Sequence, residues 1–221
     1  MVIATIGYAF SLSQIGSQSR IGEGTYAIGV LMQTADAVNG IAEMKRASDV
    51  VQFTLNFGYI SVSREGICSV QVEEDRVTIN HYSIKYVCKN VIYPSEKIVD
   101  RGTSLLTHYS NVWDAGVVYH YSDKGKTYAV FEQRPSLVVI DNPDGSATVQ
   151  IVMLELTPKT EPLVTNRGPI SYTFKEMNTT TWGPYIDSTT VTFNVMGEVD
   201  TVRVTGTTIY VHIHTIKVLV G

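Results

Sequence analysis

Two hydrophobic periods divide the chain. From Tyr26 to Lys45, apolar and small residues recur at steps of three and four, which predicts an amphipathic helix. After Asp49 the period becomes two, which predicts a strand with one buried face. The alternating apolar positions of that strand are Val51, Phe53, Leu55 and Phe57. The chain therefore changes from helical to extended structure near residue 50.

The segment before this change has few charges. Met1 to Ser19 contain none, and only Arg20, Glu23 and Asp36 follow before Glu43. Because no proline occurs before Pro94, one helix from about Val2 to Val50 is predicted, roughly 70 Å long at 1.5 Å per residue.

Glycines make this helix costly as an isolated element, since each is up to about 1 kcal/mol less favourable than alanine. A helix of this kind needs neighbours that pack around it. Those neighbours could be its own domain, further copies of the chain, or lipid. Alternatively, two closely spaced glycines could divide the segment into two helices. The glycines are Gly7, Gly16, Gly22, Gly24, Gly29 and Gly40, and the two close ones are Gly22 and Gly24.

The rest of the chain reads as antiparallel β structure. Short runs rich in Val, Ile, Tyr and Thr alternate with turn sequences, about ten residues apart. We expect turns at residues 73–76, 122–126 and 142–145, and another at Gly206 between two Thr-rich strands. The last strand, 207–220, is apolar on both faces, so it should be central or completed by another chain. The predicted fold class is α+β: a long N-terminal helix (residues 1–50) followed by a mainly antiparallel β-sandwich or barrel head (residues 51–221).

Composition narrows the classes of function. Charged residues are only 17% of the chain and hydrophobic residues are 44%, so intrinsic disorder is excluded. The net charge of −4 offers no basic face, which excludes nucleic acid as a partner. No apolar run reaches the roughly 20 residues of a complete membrane span.

Cys68 and Cys88 are the only two cysteines. Each lies on an apolar face of a predicted strand, and the two strands are neighbours in sequence. A disulfide in an oxidising, extracellular compartment is one interpretation, and two buried free thiols are the other. A metal site is disfavoured, because the two residues lack the paired spacing of zinc ligands.

No constellation of residues points to catalysis, and we expect no enzyme activity and no cofactor. His212 and His214 share one side of a strand, but no third metal ligand is near them in sequence. The acidic turns at residues 73–75 and 141–144 match no calcium loop. Trp182 to Tyr185, or Trp113 with Tyr119 and Tyr121, could form an aromatic platform for sugars, or simply belong to a β core. Asn178-Thr179-Thr180 fits an N-glycosylation acceptor.

Two stretches resemble archaeal type IV pilin-like surface proteins. The first is ADAVNGIAEMKRASDVVQFTLNFGYISVS, in which a helix runs directly into the first strand of a head. The second is WDAGVVYHYSDKGKTYAVFEQRPSLVVIDNPDGSATVQIVMLEL, with a Gly-aromatic strand, a turn and paired hairpins. Together they cover about a third of the chain. Polar residues between Ser11 and Ser19 interrupt the apolar N-terminus earlier than is usual in that family.

The resemblance implies a structural subunit of an extracellular, cell-surface filament, without a cofactor. N-terminal helices of many copies would bundle into a homopolymer with the β heads outside, and cell-surface or substratum ligands are further candidate partners. Two alternatives stay open, namely a membrane-anchored carbohydrate- or surface-binding module and a secreted β-sandwich hydrolase. The assembly residues implied are Ile3, Ile6, Phe10, Ile15, Ile28, Leu31, Val38 and Ile41.

Overall fold

The computed structural model describes residues 2–89, 97–100 and 116–221, and the side chains of residue 16, residues 18–89 and residues 116–221. Most of the described residues lie in strands. The described residues form one helix, α1 (Val2–Ala42), and eleven strands. The strands are β1 (Ser48–Thr54), β2 (Gly58–Val72), β3 (Asp75–Lys89), β4 (Lys97–Asp100), β5 (Gly116–Asp123), β6 (Lys126–Gln133), β7 (Ser136–Asp141), β8 (Ala147–Pro158), β9 (Leu163–Thr165), β10 (Arg167–Val195) and β11 (Glu198–Val220).

Helix α1 ends eight residues before the predicted limit at Val50, because the backbone turns after Ala42. Met44 adopts a left-handed φ of 58°. The N–H groups of Lys45 and Arg46 both donate to the carbonyl of Gly40, at 3.0 and 3.2 Å, and close the last turn. Strand β1 begins soon afterwards, so residues 48–50 are extended rather than helical.

The predicted head architecture is wrong. All eleven strands belong to one mixed sheet, whose main path is β4-β5-β6-β3-β2-β10-β11-β8-β7, with β1 also pairing with β10 and β9 with β2. The path is open between β4 and β7, so among the described residues there is neither a closed barrel nor a pair of separate sheets. The last strand is central, as predicted, because β11 lies between β10 and β8. Its pairing with β8 is parallel, which was not predicted.

Side chains of the sheet contribute to two hydrophobic cores. The first unites one face of α1 with β1 and with parts of β2, β3, β6, β8, β10 and β11. The second contains no helix residue and joins other parts of β2, β3, β8, β10 and β11 with β7. Five strands, β2, β3, β8, β10 and β11, therefore contribute to both cores. Residues of α1 from Ala27 onward complete the first core, so the helix's own domain supplies the neighbours for its second half.

Three of the four predicted turns are confirmed. They join β2 to β3, β5 to β6 and β7 to β8. The turn predicted at Gly206 is wrong, since β11 runs straight through that residue. The real hairpin lies at Met196 and Gly197, which have φ of 53° and 95°. Gly206 instead allows close packing, because a Cβ there would lie 3.1 Å from the Cβ of Ala147.

Candidate functional site at the helix–sheet junction

The second half of the helix lies on the sheet. Its buried positions follow the predicted steps of three and four, and the Thr34 hydroxyl also lies 3.1 Å from the Tyr172 hydroxyl of β10. Of the implied assembly residues, Leu31, Val38 and Ile41 are fully buried in the core of their own chain, and Ile28 packs against that core. Leu31, Val38 and Ile41 are therefore unavailable to other copies, whereas Ile28 is only partly buried. The side chains of Ile3, Ile6, Phe10 and Ile15 lie outside the described residues.

Glu23 marks the point at which the helix meets the sheet. Its carboxylate is 8% exposed and accepts three consecutive backbone N–H groups from the connection between β1 and β2. The N–H of Asn56 donates to Oε2 at 2.5 Å, and that of Gly58 donates to Oε1 at 2.8 Å. The N–H of Phe57 is shared between both oxygens at 3.0 Å. Hydrogen bonds to an ionised acceptor are about twice as strong as neutral ones, so this contact fixes the helix in position.

Tyr86 of β3 completes the site. Its hydroxyl donates to Glu23 Oε1 at 3.1 Å. Burial, followed by the neighbouring Cys88 and Glu23, raises the pKa of Tyr86, so the residue remains a phenol that can donate. Gly58 makes room for the ring, because a Cβ at this position would lie 2.3 Å from Tyr86 Cε2. The junction therefore depends on a carboxylate, a phenol and a glycine from three separate elements.

An open cavity of about 480 Å³ adjoins this contact. Ser19, Gly22, Glu23 and Tyr26 line it from the helix, and Thr54, Asn56 and Phe57 line it from the sheet side. The Arg20 guanidinium lies 5.6 Å from the centre of the Phe57 ring, a cation–π distance.

From the junction toward the N-terminus, the described side chains of the helix become mostly exposed. Ile21 is 45% exposed, and Gln18, Ser19 and Gly22 are also exposed. A Cβ at Gly16 or Gly22 would meet no atom within 4 Å. Helical backbone nevertheless continues to Val2. Within the residues described, no helix is both long and apolar enough to cross a membrane.

A second polar cluster lies buried between β3, β5 and β6. Glu132 Oε1 is 3.3 Å from His81 Nε2 and from Arg134 Nη2, and Tyr119 donates to Glu132 Oε2 at 2.9 Å. Burial raises the pKa of Glu132, but the contacts with His81, Arg134 and Tyr119 outweigh it and hold the pKa below the ordinary value. His81 is fully buried, so the cluster has no access to a substrate. We interpret it as a structural ion pair.

The predicted disulfide is absent, because the two thiols are free and buried. Cys68 and Cys88 lie on paired strands, as expected, but Cys88 faces Gly58, ten residues along β2 from Cys68. That offset is about 33 Å at 3.3 Å per residue, whereas a disulfide needs Cα atoms within about 7 Å. Burial raises the pKa of the Cys68 thiol to about 12, which makes it unreactive.

The remaining candidates are dispersed over the sheet. Trp182 and Tyr185 are each only 9% exposed and belong to the second core, so they form no aromatic platform. Asn178 is exposed, although within β10 rather than in a loop. His212 and His214 each contact a threonine hydroxyl of β10 through Nδ1.

The acidic turns form ordinary connections of the sheet, and Asp144 accepts the Ser146 N–H at 3.0 Å. Trp113 falls outside the described residues. Across the parts of the chain that the structure describes, no three His, Cys, Asp or Glu side chains are gathered as metal ligands.

Sequence reasoning missed the role of Glu23. The available signal was that Glu23 is one of only three charged residues in the helix, with Arg20 and Asp36. A carboxylate at such a position needs a partner if it is buried. Its partners are backbone amides, which carry no sequence signature. No protein-family model matches the chain, and neither does a curated protein or a solved structure.

Proposed function

We propose that this protein is a structural subunit of an extracellular pilus-like filament. In this proposal, residues 2–22 of α1 pack against the same residues of neighbouring copies, and the β-rich remainder forms the outer surface. The proposal agrees with the resemblance of the sequence to archaeal type IV pilin-like proteins. It requires neither a cofactor nor a catalytic residue.

One observation carries the proposal: α1 continues toward the N-terminus beyond Glu23, and the side chains described there, at residues 16 and 18–22, are mostly exposed. From Val2 to Gly22 the helix would extend about 30 Å at 1.5 Å per residue. This segment has a single charge, at Arg20. An isolated helix of that length is marginal in water, and most helical stability comes from packing an apolar surface. Neighbouring copies would supply that surface, at about 25 cal/mol per Å² of apolar area buried.

The Glu23 contact supports the same function. In a regular filament every head must hold the same direction relative to its helix. Three backbone amides and one phenol bind Glu23, so the helix is fixed to the sheet at the point where it leaves. The residues available for assembly are then Ile3, Ile6, Phe10 and Ile15, which precede this contact.

The test compares two variants with equal changes in charge. Ile6→Asp with Phe10→Asp places two charges in the proposed assembly segment. Val164→Asp with Val199→Asp places two charges on the head, at side chains that are 54% and 60% exposed. Filaments are counted by electron microscopy of cells and of purified protein.

We expect the unaltered protein and the head variant to form filaments and the helix variant to form none, while all three unfold at the same urea concentration. Filaments of normal length from the Ile6→Asp, Phe10→Asp variant would overturn the proposal. So would an unaltered protein that stays monomeric at every concentration tested.

A further inference from the structure

Strand β10 has an open edge in the middle of the sheet. Along this edge, β1 pairs with residues 167–173 and β2 pairs with residues 191–195. Among the described residues, no strand pairs with the same edge from Lys175 to Thr190. Residues 175–181 are all exposed, although side chains alternate between the two faces of a strand. The unpaired edge is therefore uncovered on both faces of the sheet.

The regular part of this edge is seven residues long. Its pairing with β11 is in register from Glu176 to Trp182, with irregularities on either side. After Trp182 the backbone changes direction, because Gly183 has a φ of 107° and Asp187 a φ of 64°. An extended partner can consequently follow β10 only over this stretch.

We propose that two copies of the chain pair edge to edge along this stretch, antiparallel and about a two-fold axis at Thr179. Thr179 would then face Thr179 of the second copy, and Asn178 would face the second copy's Thr180. Met177 would face the second copy's Thr181, and Glu176 its Trp182. The same patch serves both copies, so the contact is self-complementary and closes as a dimer.

The distribution of charge along β10 favours antiparallel pairing with a second copy of the chain. Between Met177 and Ile186 there is no charged residue, and Lys175 and Glu176 stand together at one end. Antiparallel pairing places these charges at opposite ends of the contact. Parallel pairing would set Lys175 against Lys175 and Glu176 against Glu176, and like charges directly opposite one another are destabilising.

The sheet also leaves room for the second copy. In the proposed register, Trp182 of the second copy faces Glu176 of the first, and beyond Trp182 the second copy's β10 turns out of the plane of the sheet. Strand β1 of the first copy pairs with its own β10 no further than Thr173, so it does not overlap the proposed contact. Within the contact, Thr179 and Thr181 are held by the rings of His214 and His212 at 3.0 and 2.9 Å. Thr179 of the two copies would also form a cross-strand threonine pair, and such pairs add to sheet stability.

The contact is small. Seven residues a side bury much less than the roughly 1,200 Å² of a stable protein interface. We therefore expect weak pairing in dilute solution, which cross-linking detects better than chromatography. Since no part of α1 is involved, the pairing is independent of the filament proposal.

The experiment uses Thr179→Cys in the full-length chain. Directly opposed residues have Cβ atoms about 4.5–5.5 Å apart, so mild oxidation should join two copies through the introduced thiols. The matched control is Thr181→Cys on the same face of the same strand. In the proposed register, the two introduced thiols of this control would lie four residues apart along the strands, or about 13 Å, which is too far for a disulfide. Cys68 and Cys88 are buried and do not compete.

We expect at least about tenfold more disulfide-linked dimer from Thr179→Cys than from Thr181→Cys, since only the former meets the geometric limit for a disulfide. The same ratio should appear when Ile6→Asp and Phe10→Asp are also present, which separates this test from that of the filament. Equal yields from the two cysteine variants, or no dimer from Thr179→Cys, would overturn the proposed pairing.

Discussion

The two halves of helix α1 differ in how their apolar residues are arranged. From Glu23 to Ala42 the buried residues follow a helical period, and the sheet covers them. Before Glu23 the helix carries almost no charge, and its described side chains are mostly exposed. In the second half, a clear helical period therefore accompanies burial against the sheet of the same chain. In the proposed filament, neighbouring copies would cover the uncharged first half.

The largest effect should come from shortening a side chain in the buried half. Leu31 is fully buried in the first core, so Leu31→Ala should lower the free energy of unfolding by about 4 kcal/mol, as large cavities do. Ile6→Ala, in the half assigned to assembly, should change it by less than about 0.5 kcal/mol. Urea unfolding of the monomer measures both. A comparable loss from Ile6→Ala would show that the two halves are alike.

The next effect should come from the boundary between the halves. Glu23→Ala leaves three backbone N–H groups and the Tyr86 hydroxyl without their acceptor, and should cost about 3 kcal/mol. Glu74→Ala, in the exposed turn between β2 and β3, is the matched control and should be nearly neutral. Hydrogen exchange of the amides of residues 56–58 should accelerate in the first variant only. Unchanged protection would contradict the assigned role of Glu23.

A smaller loss is expected on the sheet side of the same boundary. In Gly58→Ala the new methyl group would lie 2.3 Å from Tyr86 Cε2 and 2.7 Å from the Val87 carbonyl oxygen. Displacing the ring should cost about 2 kcal/mol, which is typical of overpacking. Thermal unfolding measures the loss. Tyr86→Phe combined with Gly58→Ala should lose less than the sum of the two single changes, because both disturb one contact.

The smallest effect should be a gain. A Cβ at Gly22 meets no neighbour within 4 Å, so Gly22→Ala should raise helix stability by up to about 1 kcal/mol. Gly16→Ala has equally open surroundings and serves as the comparison. Circular dichroism and thermal unfolding of the monomer report the change. A loss of stability at Gly22 would mean that the exit of the helix is more tightly packed than the open cavity indicates.

Local patterns predicted the local structure well. The helical steps around Leu31 and Val38 and the turn at Asn142 to Gly145 were confirmed, because each depends on neighbours in sequence. The alternation was confirmed at Val51 and Phe53, but β1 ends at Thr54 and Phe57 is exposed. The pairing of strands that are far apart in sequence was not predictable in the same way. The parallel pairing of β8 with β11 brings together residues that are 62 positions apart, as Ile209 with Ala147. Nothing in either strand specifies that partner.

The candidate site shows the same limit. The uncharged N-terminal segment was evident from composition, whereas its boundary was not, because Glu23 binds backbone amides. Two cysteines on paired strands suggested a bridge, but only the register shows that they lie far apart along the ladder. The exposed run from Asn178 to Thr181 lies within β10, and no strand among the described residues pairs with that edge of β10 there.

The three amides that bind Glu23 have a mechanical consequence. If subunits are held together through residues 2–22, any tension along the assembly enters each head at one carboxylate and passes into the start of β2. Strand β2 pairs with β3, β9 and β10, so the load would spread across the widest part of the sheet instead of peeling one strand from its rim.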